Sequence, residues 1–458
     1  MEDLTRLIIS HERIENIKNN NLELTNEEAH YLNKVMRIKN GKKIFIANGE
    51  GSLWKAIKVK NDCLNINQLQ KPYLFQEQEI YLLGIAVVIP KSGFDDILKM
   101  CTEIGIDFIQ PLFSERQVNK NLNFSRKLLR WNSIIKEAVE QSERLWKPSI
   151  LNGMDIIKWL KSRDNQERVS ISITREETLY DLNQWLRKQQ EFENKKGGIF
   201  WNVIGPEGGW SSKEIDFFNK NNIELTNEEA HYINKVMRIK NGKEIFIANG
   251  KGSLWKAIKV KNDFLEISQF KKPHLFQEKE IYLLGIAVVI PKNGFDDILK
   301  MCTEIGIDFI QPLFSERQVN KNLNFTRKLL RWNSIIKEAV EQSERLWKPS
   351  ILNGMDIIEW LKSRDNQERV SISITRKEKI YDLNQWLRKQ QEFENKKGGI
   401  FWNVIGPEGG WSSREVDFFN KNNIAFVKLA DTILRTSTAS INASSILNQW
   451  RIDLKLRN

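Results

Sequence analysis

Residues 23–223 return as residues 224–424 without a gap, displaced by 201 positions and altered at 18 of them. The run Glu23-Leu-Thr-Asn-Glu-Glu-Ala-His30, for example, reappears unchanged at Glu224–His231. Solenoid and propeller units repeat every ~20–50 residues, so this period marks a duplicated set of domains and not a stacked array. Most exchanges are mild, such as Leu32/Ile233 and Ile215/Val416, while charge reversals such as Lys43/Glu244 read as surface positions. Residues 1–22 and 425–458 occur once only. A whole unit is therefore 1–223 with 425–458, or equally 1–22 with 224–458.

Within each copy the hydrophobic pattern changes part-way. Ile44–Ala47, Trp54–Val59 and Leu64–Ile66 are short β-prone runs separated by turn signals at Asn40-Gly41 and Asn48-Gly49-Glu50-Gly51, as in a small barrel. From Ile80 the pattern alternates. A continuous apolar strand (Ile80–Ile89) leads to a helix (Gly93–Ile104), a strand (Phe108–Phe113) and a long helix (Arg126–Arg144). A helix (Met154–Lys161), a strand (Arg168–Thr174), a helix (Leu182–Gln190) and a strand (Ile199–Ile204) follow. Alternation of this kind predicts an α/β domain with a largely parallel sheet. Copy two alone continues into a strand, Phe426–Leu429, and a helix, Thr438–Trp450. The expected domains are 1–72 and 73–223 for copy one, and 224–273 and 274–458 for copy two. The second barrel would lack its first strand and the first α/β domain its C-terminal part.

The formal charge of +12, with a pI near 9.3, points to a polyanionic partner without distinguishing RNA from DNA. No apolar run reaches the ~18 residues a membrane helix needs, and Met1–Arg6 has no apolar signal-peptide core. Cys63, Cys101 and Cys302 form no disulfide framework or metal spacing, so a reducing cytoplasm is expected. The histidines (His11, His30, His231, His274) form no cluster, and no metal site is expected.

Two loops could form a site. Phe401–Ile405 ends in Gly406-Pro-Glu-Gly-Gly410, and Ser412 with Glu415 makes a capping box for the next helix. Open α/β sheets bind ligands at such strand C-termini, although the stretch is also a serviceable tight turn. Leu429–Ala439 likewise runs from strand to helix, with Thr436 or Ser437 as N-cap. Arg435 in it is either a cation for the cleft or a surface ion-pair partner. Glu137, Gln141 and Arg144 share one helix face by spacing, which reads as a partner surface or a solvated face.

At these residues the chain resembles the family of 16S ribosomal RNA uracil-N3 methyltransferases, a branch of the trefoil-knotted SPOUT methyltransferases. The matching runs are Val236–Gly242, Pro291-Lys292, Lys300–Gly306, Ile310–Arg317, Glu338–Ser343, Ile405–Trp411 and Ile433–Arg435. The resemblance implies an N-terminal PUA-like RNA-binding barrel and a knotted domain that binds S-adenosylmethionine. It also implies a homodimer, or an intrachain pseudo-dimer of the two knotted domains. Carried over by position, Thr375, Ile405, Gly406, Pro407, Glu408, Gly409, Gly410, Leu429, Ile433 and Leu434 would hold the cofactor, and Arg435 would be catalytic. Arg6, Arg37 and Lys39, with Arg238, Lys240, Arg317 and Arg345, would contact 16S rRNA. The last motif departs from the family pattern at Ala430, Thr432 and Ser437. Methylation of uridine N3 is the first reading. A catalytically weak RNA-binding protein of the same fold, or a methyltransferase for another RNA, is the alternative.

Overall fold

The computed structural model describes the chain except residues 1–4, 18–19, 61, 67–71, 118–123, 164–166, 173–181, 183–184, 188, 190–197, 207–208, 212, 216–217, 219–223, 227–243, 260–264, 268–274, 319–324, 366–367, 376–379, 394–397 and 458. It divides into two compact units, Met1–Ile233 and Asn234–Asn458. Among the described residues no helix is long and apolar enough to cross a membrane.

The first unit begins with β1 (Arg6–Ile8), α1 (His11–Glu15), β2 (Asn21–Glu23), α2 (Asn26–His30), β3 (Lys43–Ala47), β4 (Ser52–Lys60), β5 (Cys63–Ile66) and β6 (Leu74–Phe75). The strands form one sheet in the order β1-β3-β4-β5-β2, with β6 on β4. Asn48 makes the β3–β4 turn: its Oδ1 accepts the N–H groups of Glu50 (2.9 Å) and Ser52 (3.0 Å). Leu7, Ile9, Ile44, Ile46, Trp54, Leu64 and Ile66 fill one apolar core. Lys58 is buried beside it and donates to Asn33 Oδ1 and the Ile38 carbonyl. That bond anchors the loop in which Arg37 takes a left-handed φ of 52° and, like Lys39, stays exposed.

Seven strands then make a parallel sheet: β7 (Tyr81–Val88), β8 (Phe108–Phe113), β9 (Ser149–Ile150), β10 (Met154–Asp155), β11 (Glu167–Ser172), β12 (Gly198–Ile204) and β13 (Glu224–Thr226). Their order is β10-β8-β7-β12-β11-β13, with β9 on β8. Helices α3 (Phe94–Ile104), α4 (Phe124–Ser142) and α5 (Ile156–Lys161) fall between them. Of the helix expected over Leu182–Gln190, the described residues 182, 185–187 and 189 are helical, and the others lie outside the described residues.

The second unit repeats this plan. Strands β14 (Glu244–Ala248), β15 (Ser253–Lys259), β16 (Leu265–Ile267) and β17 (Leu275–Phe276) make its small antiparallel sheet. The parallel sheet comprises β18 (Tyr282–Val289), β19 (Phe309–Phe314), β20 (Ser350–Ile351), β21 (Met355–Asp356), β22 (Glu368–Ser373), β23 (Tyr381–Asp382), β24 (Gly399–Ile405) and β25 (Ala425–Lys428). Its order is β20-β19-β18-β24-β22-β25-β23, with β21 on β19. Its helices are α6 (Phe295–Ile305), α7 (Phe325–Gln342), α8 (Ile357–Lys362), α9 (Leu383–Phe393), α10 (Ser413–Lys421) and α11 (Thr436–Arg457).

The repeat seam lies inside a sheet. β13 pairs with β11 through Ser170↔Glu224, Ile171↔Leu225 and Ser172↔Thr226, and β25 pairs with β22 through Ser371↔Ala425, Ile372↔Phe426 and Ser373↔Val427. The registers correspond residue for residue. The edge that the repeat reading leaves open on β11 is therefore paired, because its free N–H and C=O groups accept the next available strand. The second small sheet lacks equivalents of both β1 and β2 among the described residues.

The structure ties three arginines to distant groups of the chain. Arg6 does not face outward; it is buried, donating to the Glu143 carbonyl and pairing with its carboxylate at 3.9 Å. α4 ends at Ser142 because Glu143 turns left-handed (φ 56°), so Arg144 leaves the helix face shared by Glu137 and Gln141. Arg144 is buried and donates to the carbonyls of Thr102 (3.0 Å) and Ile106 (2.8 Å). Half-buried Arg345 makes the matching bonds in the second unit, donating to Thr303 (2.7 Å) and Ile307 (2.9 Å), and so braces the end of α6. Burial pushes Arg345 down to about 10, with Asp308 opposing and Arg451 reinforcing the shift.

Barrel and parallel-sheet body are tied together within the first unit. Gly51 N–H donates to Leu145 O (2.9 Å), Lys147 N–H to Gly49 O (2.8 Å), and Ile8 N–H to Glu140 Oε1 (2.8 Å). A Cβ on Gly51 would lie 2.2 Å from Gln76 O and 2.9 Å from the Trp146 ring, so only glycine fits. Burial pushes the Glu140 carboxyl up to about 7, against the Ile8 hydrogen bond and Lys136; Glu28 and Glu137 add to the rise. A carboxyl raised by folding contributes stability below its unfolded pKa and loses it as pH climbs through the folded value. Glu140→Gln keeps an acceptor for Ile8 without the charge. In chemical denaturation its advantage over wild type grows from about pH 5 to about pH 8, by up to about 3 kcal/mol. A gap that does not change with pH contradicts this account.

Candidate functional site

β24 stops where Gly406 and Pro407 deprive the strand of side chain and donor. A Cβ on Gly406 would come within 2.9 Å of the Trp411 indole, so the glycine is required by that close approach. Trp411 Nε1–H donates to Ser373 O at 3.3 Å, which draws the end of β22 against the loop. Gly410 adopts φ +69° and turns the chain into α10. At the helix start the expected capping box is present: Glu415 N–H donates to Ser412 Oγ (3.1 Å) and Ser412 N–H to Glu415 Oε2 (2.7 Å).

Glu415 has a second task that spacing did not disclose. Its Oε1 accepts the Ser315 hydroxyl (2.7 Å) and the Glu316 N–H (3.1 Å), both just beyond β19, and the side chain is almost wholly buried. One carboxylate thus holds two strand-end loops. Glu214 does the same in the first unit, accepting Ser114 Oγ (2.8 Å), Glu115 N (3.2 Å) and Ser211 N (2.7 Å). Below the loops a polar ladder crosses the sheet: Ser373 Oγ donates to Asn403 Oδ1 (2.8 Å) and Asn403 Nδ2 to Ser371 Oγ (3.0 Å). Asn403 inside Phe401–Ile405, with Ser371-Ile-Ser373 opposite, was the signal available in sequence.

The second loop leaves β25 at Leu429 and enters α11 at Thr436. Asn442 Nδ2 donates to Leu429 O (3.0 Å), and Thr436 Oγ1 reaches Gly406 O (3.5 Å). This contact brings the two walls together. Thr375, two residues past β22, is exposed beside them, and Arg317 Nη1 donates to Gly409 O (3.2 Å) at the rim. Ile405 is buried, Leu429, Ile433, Leu434 and Arg435 are half-buried, and Glu408–Gly410 are exposed. Leu429 and Leu434 pack on the core of the unit, giving one apolar and one backbone-rich wall.

The structure thus gathers Thr375, Ile405–Gly410, Leu429, Ile433, Leu434, Arg435 and Arg317 in one region. Arg345 lies apart among α6 carbonyls, and Arg6, Arg37 and Lys39 belong to the first unit. Arg238, Lys240, His231 and His274 lie outside the described residues. In the first unit Gly205, Pro206 and Gly209 are described, but 207–208 are not, and β13 is not followed by a described second wall. A cavity of about 620 Å³ in each unit lies elsewhere, between small sheet and body.

The model for an RNA methyltransferase domain matches residues 77–227 and 277–448, and that for an RNA methyltransferase PUA domain matches 24–57 and 225–258. The chain belongs to this RNA methyltransferase family. Its parallel-sheet bodies carry the expected SPOUT-type fold, each preceded by a PUA-type sheet. This RNA methyltransferase is 29% identical over 228 residues to "Ribosomal RNA small subunit methyltransferase E" of Synechocystis, covering 49% of this chain and 72% of that protein. The protein of the same name from Bacillus subtilis is 27% identical over 233 residues, covering 49% and 88%. A solved structure of such an enzyme from Neisseria gonorrhoeae, described as bound to S-adenosyl methionine, is 24% identical with a TM-score of 0.39. It covers 46% of this chain and 84% of its own. Each relative thus matches about one of the methyltransferase's two units.

Glu415→Ala in this methyltransferase removes a charge-assisted acceptor from three donors. Such a bond is worth about 1.5–3 kcal/mol. Amide exchange at Ser412 and Glu316 should accelerate on the order of tenfold to a hundredfold, with Ser211 and Glu115 unchanged. Equal acceleration in both units, or in neither, removes Glu415 as the tie.

Proposed function

We propose that the second unit transfers a methyl group from S-adenosylmethionine to uridine N3 in 16S ribosomal RNA. The observation that carries this reading is the meeting of the Gly406 and Thr436 loops at the C-terminal edge of β24, β22 and β25. The ribosomal substrate comes from the names of the curated relatives, and the methyl donor from the description of the Neisseria structure.

The residues fit such a cofactor. Exposed backbone at Glu408–Gly410 and the Thr375 hydroxyl supply hydrogen-bonding groups, and Leu429, Ile433 and Leu434 supply an apolar wall for a purine. When bound, the sulfonium supplies an electrophilic methyl group. The chain itself then has to hold uracil N3 in line with that carbon, and positioning of this kind is worth ~7–11 kcal/mol in well-oriented cases. Because N3 lies on the pairing edge, the base must be unpaired or flipped into the cleft. As the N3 proton leaves, negative charge spreads to O2 and O4. Arg435 stands one residue before α11, so its guanidinium and the positive end of that helix act together on that charge.

Arg37 and Lys39, exposed on the loop anchored by Lys58, are the RNA contacts this reading keeps in the first barrel. Arg317 is the contact it keeps at the cleft rim. Residues 425–458 occur once in the sequence, and among the described residues the first unit has no counterpart of the Leu429–Arg435 wall, so one cofactor is expected per chain.

Two measurements test this. Arg435→Ala should lower methyl transfer to unmodified 16S rRNA by about a hundredfold or more while leaving cofactor affinity within about threefold. Unchanged turnover would take Arg435 out of the mechanism. Calorimetry on the full chain should give one cofactor bound; two would assign a working site to the first unit as well.

A further inference from the structure

The cavities between small sheet and body have the same volume in the two units and opposite electrostatic character. Three cations and three carboxylates line the first, and Glu28 there holds both Arg13 (2.7 Å) and Lys136 (3.6 Å). Five cations and two carboxylates are the charged residues described around the second. Both of those carboxylates are already engaged, Asp308 by Arg451 (2.6 Å) and Arg345 (3.7 Å), and Glu280 by Lys455. Lys251, Lys279 and Lys348 are exposed there, and none of them pairs with a carboxylate among the described residues. Two of these three lysines arise by exchange between the copies, Lys251 standing for Glu50 and Lys279 for Gln78.

The backbone that carries the lysines is braced. Lys251 N–H donates to Asn249 Oδ1 (2.8 Å), Gly252 N–H donates to Leu346 O (2.8 Å), and Lys251 bridges Trp347 in antiparallel fashion. Gln277, two residues before Lys279, donates its N–H to Gly252 O (2.7 Å) and accepts Trp347 Nε1–H (3.0 Å). Lys348 follows that tryptophan, with Nζ 3.3 Å from Asn333 Oδ1. Cations gathered about one cavity without counter-ions repel one another and favour an anionic ligand. The lysines stand on three separate segments around an open cavity. A strand of phosphodiesters, with one charge on each, matches that spread better than a single compact anion.

We propose that the second unit's cavity holds the phosphodiester backbone of the RNA substrate at a stretch remote from the base to be methylated. This assignment rests on the substrate being RNA, and not on which base receives the methyl group. Gly306, Asp308 and Ser350 line the cavity at the N-terminal ends of β19 and β20, whereas the Gly406 and Thr436 loops meet at the C-terminal edge of the same parallel sheet. A strand of six residues such as β19 spans ~20 Å, so the two contacts lie at opposite ends of the body. Binding energy won there acts on RNA capture and leaves the chemical step alone.

Lys251→Glu with Lys279→Gln installs the residues that the first unit carries at the matching positions, so the fold is kept. Binding of unmodified 16S rRNA by the full chain should weaken about tenfold or more, and the slope of log affinity against log salt should flatten by roughly 1.5, the counterion release of about two phosphate contacts. In methylation assays KM should rise while kcat stays unchanged. Lys362→Glu with Lys421→Gln makes the same charge change at exposed helix positions outside the cavity and should weaken binding less than about threefold. Equal weakening by both pairs, or by neither, overturns the proposal. In a second measurement bound RNA should protect Lys251 and Lys279 from acetylation, read by mass spectrometry in peptides whose sequences occur in the second copy alone. Protection by pyrophosphate but not by RNA would make the cavity a small-anion site and also overturns it. A wild-type chain that binds no RNA sinks this proposal together with the proposed function, whereas RNA binding that leaves both lysines unprotected sinks this proposal alone.

Discussion

Glu415 accepts hydrogen bonds from Ser412 N–H, Ser315 Oγ and Glu316 N–H while only 1% of its surface meets solvent. A carboxylate in that position is tolerable only while its donors stay in place, since an unpaired buried charge is far more costly than the bonds it forgoes. The constraint therefore works in both directions. The loops after β19 and β24 cannot separate without stranding the charge, and the charge is buried only because the loops close over it. α10 helps, because Glu415 lies in its first turn, where the helix dipole favours an anion. Thr375, Trp411, Gly406 and, through Thr436, the Arg435 loop all hang from this arrangement.

The α/β alternation was legible because buried parallel strands are continuous apolar runs, and Ile80–Ile89 and Phe401–Ile405 stand out as such. The glycine loop and its capping box were legible because Gly406, Gly410, Ser412 and Glu415 act through local geometry. Arg6, Arg144 and Arg345 were not. Each is a long cation that reads as surface by type, and each is held by carbonyls or a carboxylate distant in sequence. A helix-face argument placed Arg144 with Glu137 and Gln141. One left-handed residue, Glu143, removed it from the helix altogether. Asn403 was missed for a related reason: an amide within a strand has meaning only beside the serines of its neighbour.

The duplication separates what sequence determines from what surroundings determine. Glu23-Leu-Thr25 begins in a barrel strand paired antiparallel to β5, while the identical Glu224-Leu-Thr226 extends a parallel sheet. Leu83 and Leu284 differ only in whether a helix lies over them. Glu140 is held under β1, whereas its counterpart Glu341 is exposed and pairs with Lys337 at 3.9 Å. Strand identity at short segments is thus an outcome of available edges, as β-propensity measured in different hosts would suggest.

This has a consequence for how the two units divide the proposed reaction. Among the described residues, the unit with the assembled cleft lacks the β1 and β2 equivalents. Its small sheet meets the body through Gly252 N–H to Leu346 O, Lys348 N–H to Gly250 O and Trp347 Nε1 to Gln277 O, at 2.8–3.0 Å. The unit with the full barrel adds the Arg6 and Ile8 attachments but has no second wall among its described residues. Two of the exchanges, Glu50/Lys251 and Gln78/Lys279, line the cavities between small sheet and body, and both add positive charge on the side that carries Arg435.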